Sequence, residues 1–79
     1  MRLLFHPTEL EGVILVEPVV HPDARGFFLE TYHQEKYAEG GIPHVFVQDN
    51  HSYSTKGTLR GLHAQVEHPQ GKLVCAVAG

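Results

Sequence analysis

The chain has 79 residues, with six basic and nine acidic side chains and a formal net charge of −3 at pH 7. This length allows one domain at most. The acidic balance argues against a general nucleic-acid binder, which carries a basic patch or stripe. Cys75 is the only cysteine, which excludes a disulfide framework and indicates a reducing, cytoplasmic setting. No segment approaches the roughly 18 apolar residues that would suggest a membrane span.

The first half of the chain predicts two strands and one helix. Residues 13–20 (VILVEPVV) are mostly β-branched, and their single proline indicates an edge position or a bulge. After a predicted turn at residues 21–24, residues 26–32 (GFFLETY) predict a second strand with alternate side chains on opposite faces. Residues 33–39 predict the one helix, because good helix formers are followed there by two glycines and a proline.

The second half predicts further short strands, at residues 45–48, 58–65 and 73–77. Five or six short strands joined by Gly, Pro and Asn turns are typical of an all-β sandwich or barrel. In this sequence no further strand follows the apolar residues 73–79 to pair with them, and an uncovered strand edge is prone to aggregation. We therefore expect residues 1–79 to be the N-terminal portion of a single, incomplete domain.

Residues 57–65 (GTLRGLHAQ) resemble half of a metal-binding motif. A glycine followed by five residues and a histidine, His63, resembles the first part of the cupin motif. In metal-binding cupins a second histidine follows two positions later on the same strand face, where this chain has Gln65. An amide is a poor ligand for the transition metals that imidazole suits. The seven histidines make metal binding a hypothesis to test, but this pattern favours a cupin-type jelly roll without a metal site.

Without a metal, His63 is a candidate general base, because histidine is the side chain that ordinarily titrates closest to neutral pH. Arg60 offers a planar fork suited to phosphate, and Lys72 a compact ammonium suited to a developing oxyanion. The alternatives are a packed structural histidine and two solvated surface charges. Strict strand alternation points Arg60 away from His63, so a bulge at Gly61 is needed if both serve one site.

Two more stretches are candidates for ligand contact. Residues 25–30 (RGFFLE) combine an arginine, two aromatic rings and a carboxylate, which can contact a phosphate, stack on a base and accept a hydrogen bond. From spacing alone, an ordinary amphipathic strand is the favoured interpretation. Residues 48–52 (QDNHS) form a dense polar run, which suits either a ligand-contacting loop or an Asx-type turn.

Together, four stretches resemble the dTDP-4-dehydrorhamnose 3,5-epimerase family in order and approximate spacing. They are residues 25–30, 48–52, 57–65 and 70–74 (QGKLV). The resemblance extends from about residue 11 to residue 79. It implies a jelly roll that needs neither metal nor cofactor and works as a homodimer in deoxysugar nucleotide synthesis. The implied reaction inverts carbons 3 and 5 of dTDP-4-dehydro-6-deoxy-D-glucose.

The resemblance also implies roles for individual residues. His63 matches the base that removes a proton next to the 4-keto group, and Lys72 matches the residue that stabilises the enolate oxygen. Arg60 matches a substrate-binding arginine beside the base. The other substrate-binding matches are Arg25, Phe28, Glu30, Gln48 and Asn50. In the family, the residues matching Arg25 and Glu30 reach the nucleotide from the exchanged N-terminal strand of a partner subunit.

Some features depart from the family pattern. Ala64 stands where the family carries an aromatic residue, and the connection from His63 to Lys72 is one residue shorter than is typical. The tyrosine acid of the family and the aspartate that orients its histidine match positions beyond residue 79. A positioned acid or base typically contributes about 10²–10⁴-fold, so we expect little or no activity from this chain alone.

The sequence is also compatible with three other hypotheses. A related sugar-nucleotide ketoisomerase or single-centre epimerase would share the scaffold and most of these residues. A non-catalytic dTDP-binding or dimerisation module would use the nucleotide contacts without the chemistry. A metal-dependent cupin enzyme is the least favoured, because Gln65 replaces the second histidine.

Overall fold

The computed structural model describes all residues, Met1–Gly79. Its regular elements are strand β1 (Leu3–Pro7), strand β2 (Ile14–Pro18) and helix α1 (Gln34–Glu39). The chain divides into two compact units, Met1–Val45 and Phe46–Gly79, and all three elements lie in the first. A small antiparallel sheet with one short helix is compatible with the all-β class. No helix combines the length and the apolar character that crossing a membrane requires.

Strands β1 and β2 form a two-stranded antiparallel sheet, in which Leu3 pairs with Pro18 and Pro7 pairs with Ile14. Side chains along β2 alternate between partly buried and exposed positions, as expected for a strand with one covered face. The strand predicted within residues 13–20 is confirmed. Its proline lies at the last paired position of an edge strand, where a missing N–H is tolerated.

Helix α1 begins after His33, whose extended backbone (φ −147°, ψ 117°) and ring make it the N-cap. The His33 Nδ1 atom accepts a hydrogen bond from the Lys36 backbone N–H at 3.3 Å. At the other end, Gly40 donates its N–H to the Lys36 carbonyl at 3.0 Å. Gly41 then adopts a φ of +102°, which glycine reaches without steric cost. The helix and stop signal predicted at residues 33–39 are confirmed.

An aromatic cluster forms the core of the first unit. Tyr37 is 1% exposed, and its ring contacts Phe5 edge-on at a centroid distance of 5.3 Å and Tyr32 at 4.6 Å. The Tyr37 hydroxyl donates a hydrogen bond to the Thr31 carbonyl at 2.8 Å. A Cβ atom at Gly40 would overlap the Phe5 ring. The glycine therefore helps the helix end to approach β1, and the cluster joins the sheet to the helix.

Four predicted strands are not formed. They are the segments 26–32, 45–48, 58–65 and 73–77. Each contains good strand formers, but a strand needs a neighbour that satisfies its N–H and C=O groups. Apart from a single bridge between Gly26 and Asp23, none of these segments is paired. Apolar side chains that a sheet would cover are therefore exposed, including Val47 at 90% and Val74 at 83%.

Candidate active site

Arg25 lies in a tight turn closed by its neighbours. Asp23 and Gly26 exchange backbone hydrogen bonds of 2.8 and 3.1 Å, and Gly26 has a φ of +124°. The Asp23 Oδ1 atom accepts from the Arg25 backbone N–H at 2.8 Å, and Oδ2 accepts from Arg25 Nη2 at 2.9 Å. The hydrogen bond from the Arg25 side chain holds the pKa of Asp23 below its ordinary value. One carboxylate thus contacts both the backbone and the guanidinium of Arg25.

The same turn lines an open cavity of about 380 Å³, which is bordered by Asp23, Arg25, Phe27 and Phe28. The two phenylalanines are 70% and 78% exposed, an unusual position for large apolar rings. A guanidinium binds phosphate, and an aromatic face stacks on a planar ring. The structure therefore brings the predicted ligand residues Arg25 and Phe28 to one cavity whose chemistry suits an anionic, partly planar ligand.

Glu30 is engaged within the chain. Lys36 Nζ donates hydrogen bonds to Glu30 Oε1 at 2.8 Å and to the Met1 carbonyl at 2.7 Å. The Glu30 side chain is 23% exposed and that of Lys36 is 34% exposed. The hydrogen bond from Lys36 lowers the pKa of Glu30, and the same bond raises the pKa of Lys36. Glu30 therefore anchors the approach to α1 through Oε1, and its second carboxylate oxygen, Oε2, makes no hydrogen bond within the chain.

In the second unit, two predicted ligand-binding residues contact each other, and a third binds residues that precede it. The side chain of Gln48 donates to Asn50 Oδ1 at 3.3 Å. Arg60 instead binds residues that precede it: its Nε atom donates to Ser54 Oγ at 2.6 Å, and Nη2 donates to the Tyr53 carbonyl at 3.2 Å. These two bonds use Nε and one donor of Nη2, so the donors of Nη1 remain open to a ligand.

His63 and Lys72 are both exposed. Neither side chain makes a hydrogen bond or an ion pair, so no such bond joins the two, and their joint action stays a prediction. The bulge expected at Gly61 is not formed, because residues 58–65 have no paired strand. The backbone nevertheless leaves the extended path there, with a φ of +127° at Gly61.

The histidine and acidic side chains do not form a cluster that would support the metal hypothesis. No group of three or more His, Cys, Asp or Glu side chains is placed to hold a metal ion. Gln65, which occupies the position of the second cupin histidine, donates its amide to the His68 carbonyl at 3.1 Å. Its side chain thus stabilises the loop between His63 and Lys72.

Three residues whose side chains bind the predicted site residues were missed by the sequence patterns: Asp23, Lys36 and Ser54. An aspartate two residues before an arginine within a predicted turn is an Asx-turn signal, so Asp23 was within reach of sequence reasoning. Lys36 and Ser54 could not be found from the sequence. Each lies six residues from its partner, Glu30 or Arg60, and neither pair shares a regular element.

Residues 7–79 match the protein family described as dTDP-4-dehydrorhamnose 3,5-epimerase. The chain belongs to this family. A dTDP-4-dehydrorhamnose 3,5-epimerase from Pseudomonas aeruginosa is 57% identical over 71 residues, which cover 89% of this chain and 39% of that protein. The one from Methanothermobacter thermautotrophicus is 51% identical over 75 residues, which cover 95% of this chain and 40% of that protein. The family that the four sequence motifs predict is confirmed.

A relative with a narrower name also matches this epimerase-family chain. A dTDP-4-dehydrorhamnose 3-epimerase from Streptomyces niveus is 41% identical over 81 aligned positions, which cover 100% of this chain and 38% of that protein. The chain thus spans about two fifths of the length of the curated relatives described here. No solved structure is significantly similar to it.

Proposed function

We propose that the protein carrying this chain inverts carbons 3 and 5 of dTDP-4-dehydro-6-deoxy-D-glucose to give dTDP-4-dehydro-L-rhamnose. The observation that carries the proposal is the family match, which spans all the predicted site residues. Relatives named for this reaction are 50–57% identical to the chain in six cases. The ligand is accordingly a dTDP-linked 4-keto-deoxyhexose.

The proposed chemistry is metal-independent acid–base catalysis. A proton on a carbon beside the 4-keto group is acidic, because the carbanion delocalises as an enolate. His63 removes this proton, and the ammonium of Lys72 stabilises the negative charge that develops on the keto oxygen. Carbons 3 and 5 both flank carbon 4, so one keto group activates both centres. Inversion is complete when a proton returns to the opposite face of each carbon.

The nucleotide end of the substrate binds to the other predicted residues. The guanidinium of Arg25 contacts a phosphate and the Phe28 ring stacks on the base, as supported by their shared cavity. Glu30 accepts a hydrogen bond from a sugar hydroxyl through Oε2. Gln48 and Asn50 act as a pair, as supported by their mutual hydrogen bond. Arg60 binds the substrate beside the base through the donors that its bonds to Ser54 and Tyr53 leave unused.

We also propose that residues 1–79 form the N-terminal portion of one cupin-type jelly roll. The protein acts in the cytoplasm as a homodimer whose N-terminal strands are exchanged. Two observations support strand addition. Each strand of the β1–β2 sheet has only one neighbour and so offers an open edge. Apolar side chains in the second unit, such as Leu59 at 90% and Leu62 at 106% exposure, have surface that further strands would cover. Sedimentation velocity on the full-length protein tests the dimer.

The decisive experiment follows substrate hydrogens in deuterated water. In the full-length protein we expect deuterium at carbons 3 and 5 of the product, detected by NMR. His63→Ala should slow both exchanges by about 10²–10⁴-fold, and Lys72→Met should slow them as well. His44→Ala is the matched control, because His44 is an exposed histidine without a hydrogen bond. Exchange at the wild-type rate in His63→Ala would remove His63 as the base.

A second candidate is a single-centre 3-epimerase, which the 41% identity to the Streptomyces niveus protein favours. The same experiment separates the two, because a 3-epimerase places deuterium at carbon 3 alone. A protein that binds dTDP in calorimetry but exchanges neither hydrogen would instead be a non-catalytic nucleotide-binding module.

A further inference from the structure

We propose that Asp23 is a positioning residue for nucleotide binding, which holds the guanidinium of Arg25 ready at the cavity that both residues line. The inference rests on the proposed function, in which Arg25 contacts a phosphate of the nucleotide. It adds a residue that the sequence patterns treat only as part of a turn. Asp23 acts through Arg25 and does not need to touch the ligand.

The geometry of the turn shows that Asp23 restrains Arg25. Both carboxylate oxygens of Asp23 bind the same residue, Oδ1 through the Arg25 backbone N–H and Oδ2 through Nη2. The backbone hydrogen bonds between Asp23 and Gly26 close the turn around them. The Arg25 side chain is 91% exposed, so packing does not restrain it. The carboxylate of Asp23 is the one side-chain partner that limits its rotamers.

Arg25 keeps enough free donors to bind a phosphate while it is bound to Asp23. A guanidinium has five N–H donors in a planar fork, and the contact with Asp23 uses Nη2. One two-donor edge of the fork therefore remains open, and two parallel donors are what a phosphate accepts best. A long side chain that is already ordered loses less conformational freedom when it binds. Asp23 thus orders Arg25 without occupying the part of it that a phosphate needs.

The negative charge of Asp23 acts in the opposite direction, because it also repels an anionic ligand. Two considerations favour positioning over repulsion. The group is exposed at the surface, where water and salt screen charge–charge interactions. The positioning effect, by contrast, is transmitted by direct hydrogen bonds to Arg25. Asparagine distinguishes the two effects, since Asp23→Asn keeps an acceptor for the Arg25 backbone N–H but loses both the charge and the acceptor for Nη2.

The test measures kcat and KM for the dTDP-sugar, and Kd for dTDP by calorimetry, in the full-length protein. We expect Asp23→Asn to raise KM and Kd by roughly two- to fivefold, the size of an exposed ion-pair effect, with kcat unchanged. Asp23→Ala should raise KM and Kd further, because the turn also loses the hydrogen bond from the Arg25 backbone N–H to Oδ1. Glu9→Gln is the matched control: it removes one exposed carboxylate that makes no hydrogen bond, and it should leave KM unchanged.

A double-mutant comparison assigns the effect to Arg25. In an Arg25→Ala background, Asp23→Asn should have no further effect on Kd. Wild-type or tighter affinity in Asp23→Asn, or an equal loss in the Arg25→Ala background, would overturn the positioning role. Failure of the wild-type protein to bind dTDP would refute the proposed function and this inference together. Normal wild-type binding with an unaltered Asp23→Asn variant would refute this inference alone.

Discussion

Truncation of Tyr37 tests whether the aromatic cluster holds the first unit together. Tyr37 is 1% exposed and contacts the rings of Phe5 and Tyr32 at centroid distances of 5.3 and 4.6 Å. Replacing a buried aromatic side chain with alanine costs about 3–5 kcal/mol. Loss of the hydroxyl bond to the Thr31 carbonyl adds about 1 kcal/mol.

These magnitudes decide the outcome. A folded unit of the length of Met1–Val45 has a free energy of unfolding of roughly 2–7 kcal/mol. Tyr37→Ala should therefore unfold the first unit or leave it barely stable. Tyr37→Phe keeps the ring and loses only the hydrogen bond, so it should lower the stability by about 1 kcal/mol.

Amide hydrogen exchange in the full-length protein is the assay, because it reports local opening. The informative amides are those of Tyr37, Gly40 and Ile42, which donate backbone hydrogen bonds within or just after α1. Tyr53→Ala is the control, because Tyr53 is 84% exposed and its loss should change stability by less than about 0.5 kcal/mol. Equal protection of these amides in Tyr37→Ala and Tyr53→Ala would refute the argument.

Three further predictions concern the same unit. Gly40→Ala should lower the free energy of unfolding in urea by about 1–3 kcal/mol, since the new methyl group overlaps the Phe5 ring; Phe5→Leu in the same chain should relieve part of this loss. In Gly41→Ala the new methyl group meets no neighbouring atom, but the residue must keep a φ of +102°. Backbone strain alone should therefore lower the free energy of unfolding by about 1–2 kcal/mol, and an unchanged free energy of unfolding in urea would contradict this. The pKa of Glu30 is lowered from its ordinary 4.5 and that of Lys36 is raised from 10.5. The stabilisation from this pair should therefore be complete between those values, fade as pH falls through the lowered pKa of Glu30, and fade as pH rises through the raised pKa of Lys36. Urea titrations of the wild-type protein should show both losses. Glu30→Gln should make both smaller, while the acid loss that comes from Asp23, whose pKa is also lowered, should remain.

Local signals were enough to predict some elements. The helix at residues 33–39 follows from helix formers ahead of a glycine stop, and its hydrogen bonds join residues that are close in sequence. The strand within residues 13–20 follows from β-branched residues and appears as β2. The order and spacing of the sequence motifs were enough to predict the family, because both are properties of the sequence itself.

Pairing between distant residues could not be predicted. Strand β1 contains His6 and Pro7, which weaken its strand pattern, and it forms because β2 satisfies its backbone in the register of Leu3 with Pro18. The segment 26–32 has a better strand pattern, but only its first residue, Gly26, is bridged to another residue, so it forms no strand. Strand propensity reports how well side chains suit a sheet, and only a neighbouring strand satisfies the backbone.

The candidate site shows the same division. The family, the chemical types available and the candidate base follow from residue identity and order alone. The partners of those residues become visible only in the folded chain: Asp23 for Arg25, Lys36 for Glu30 and Ser54 for Arg60. The physical reason is that a hydrogen bond depends on distance and angle in space, which the order of residues along the chain does not specify.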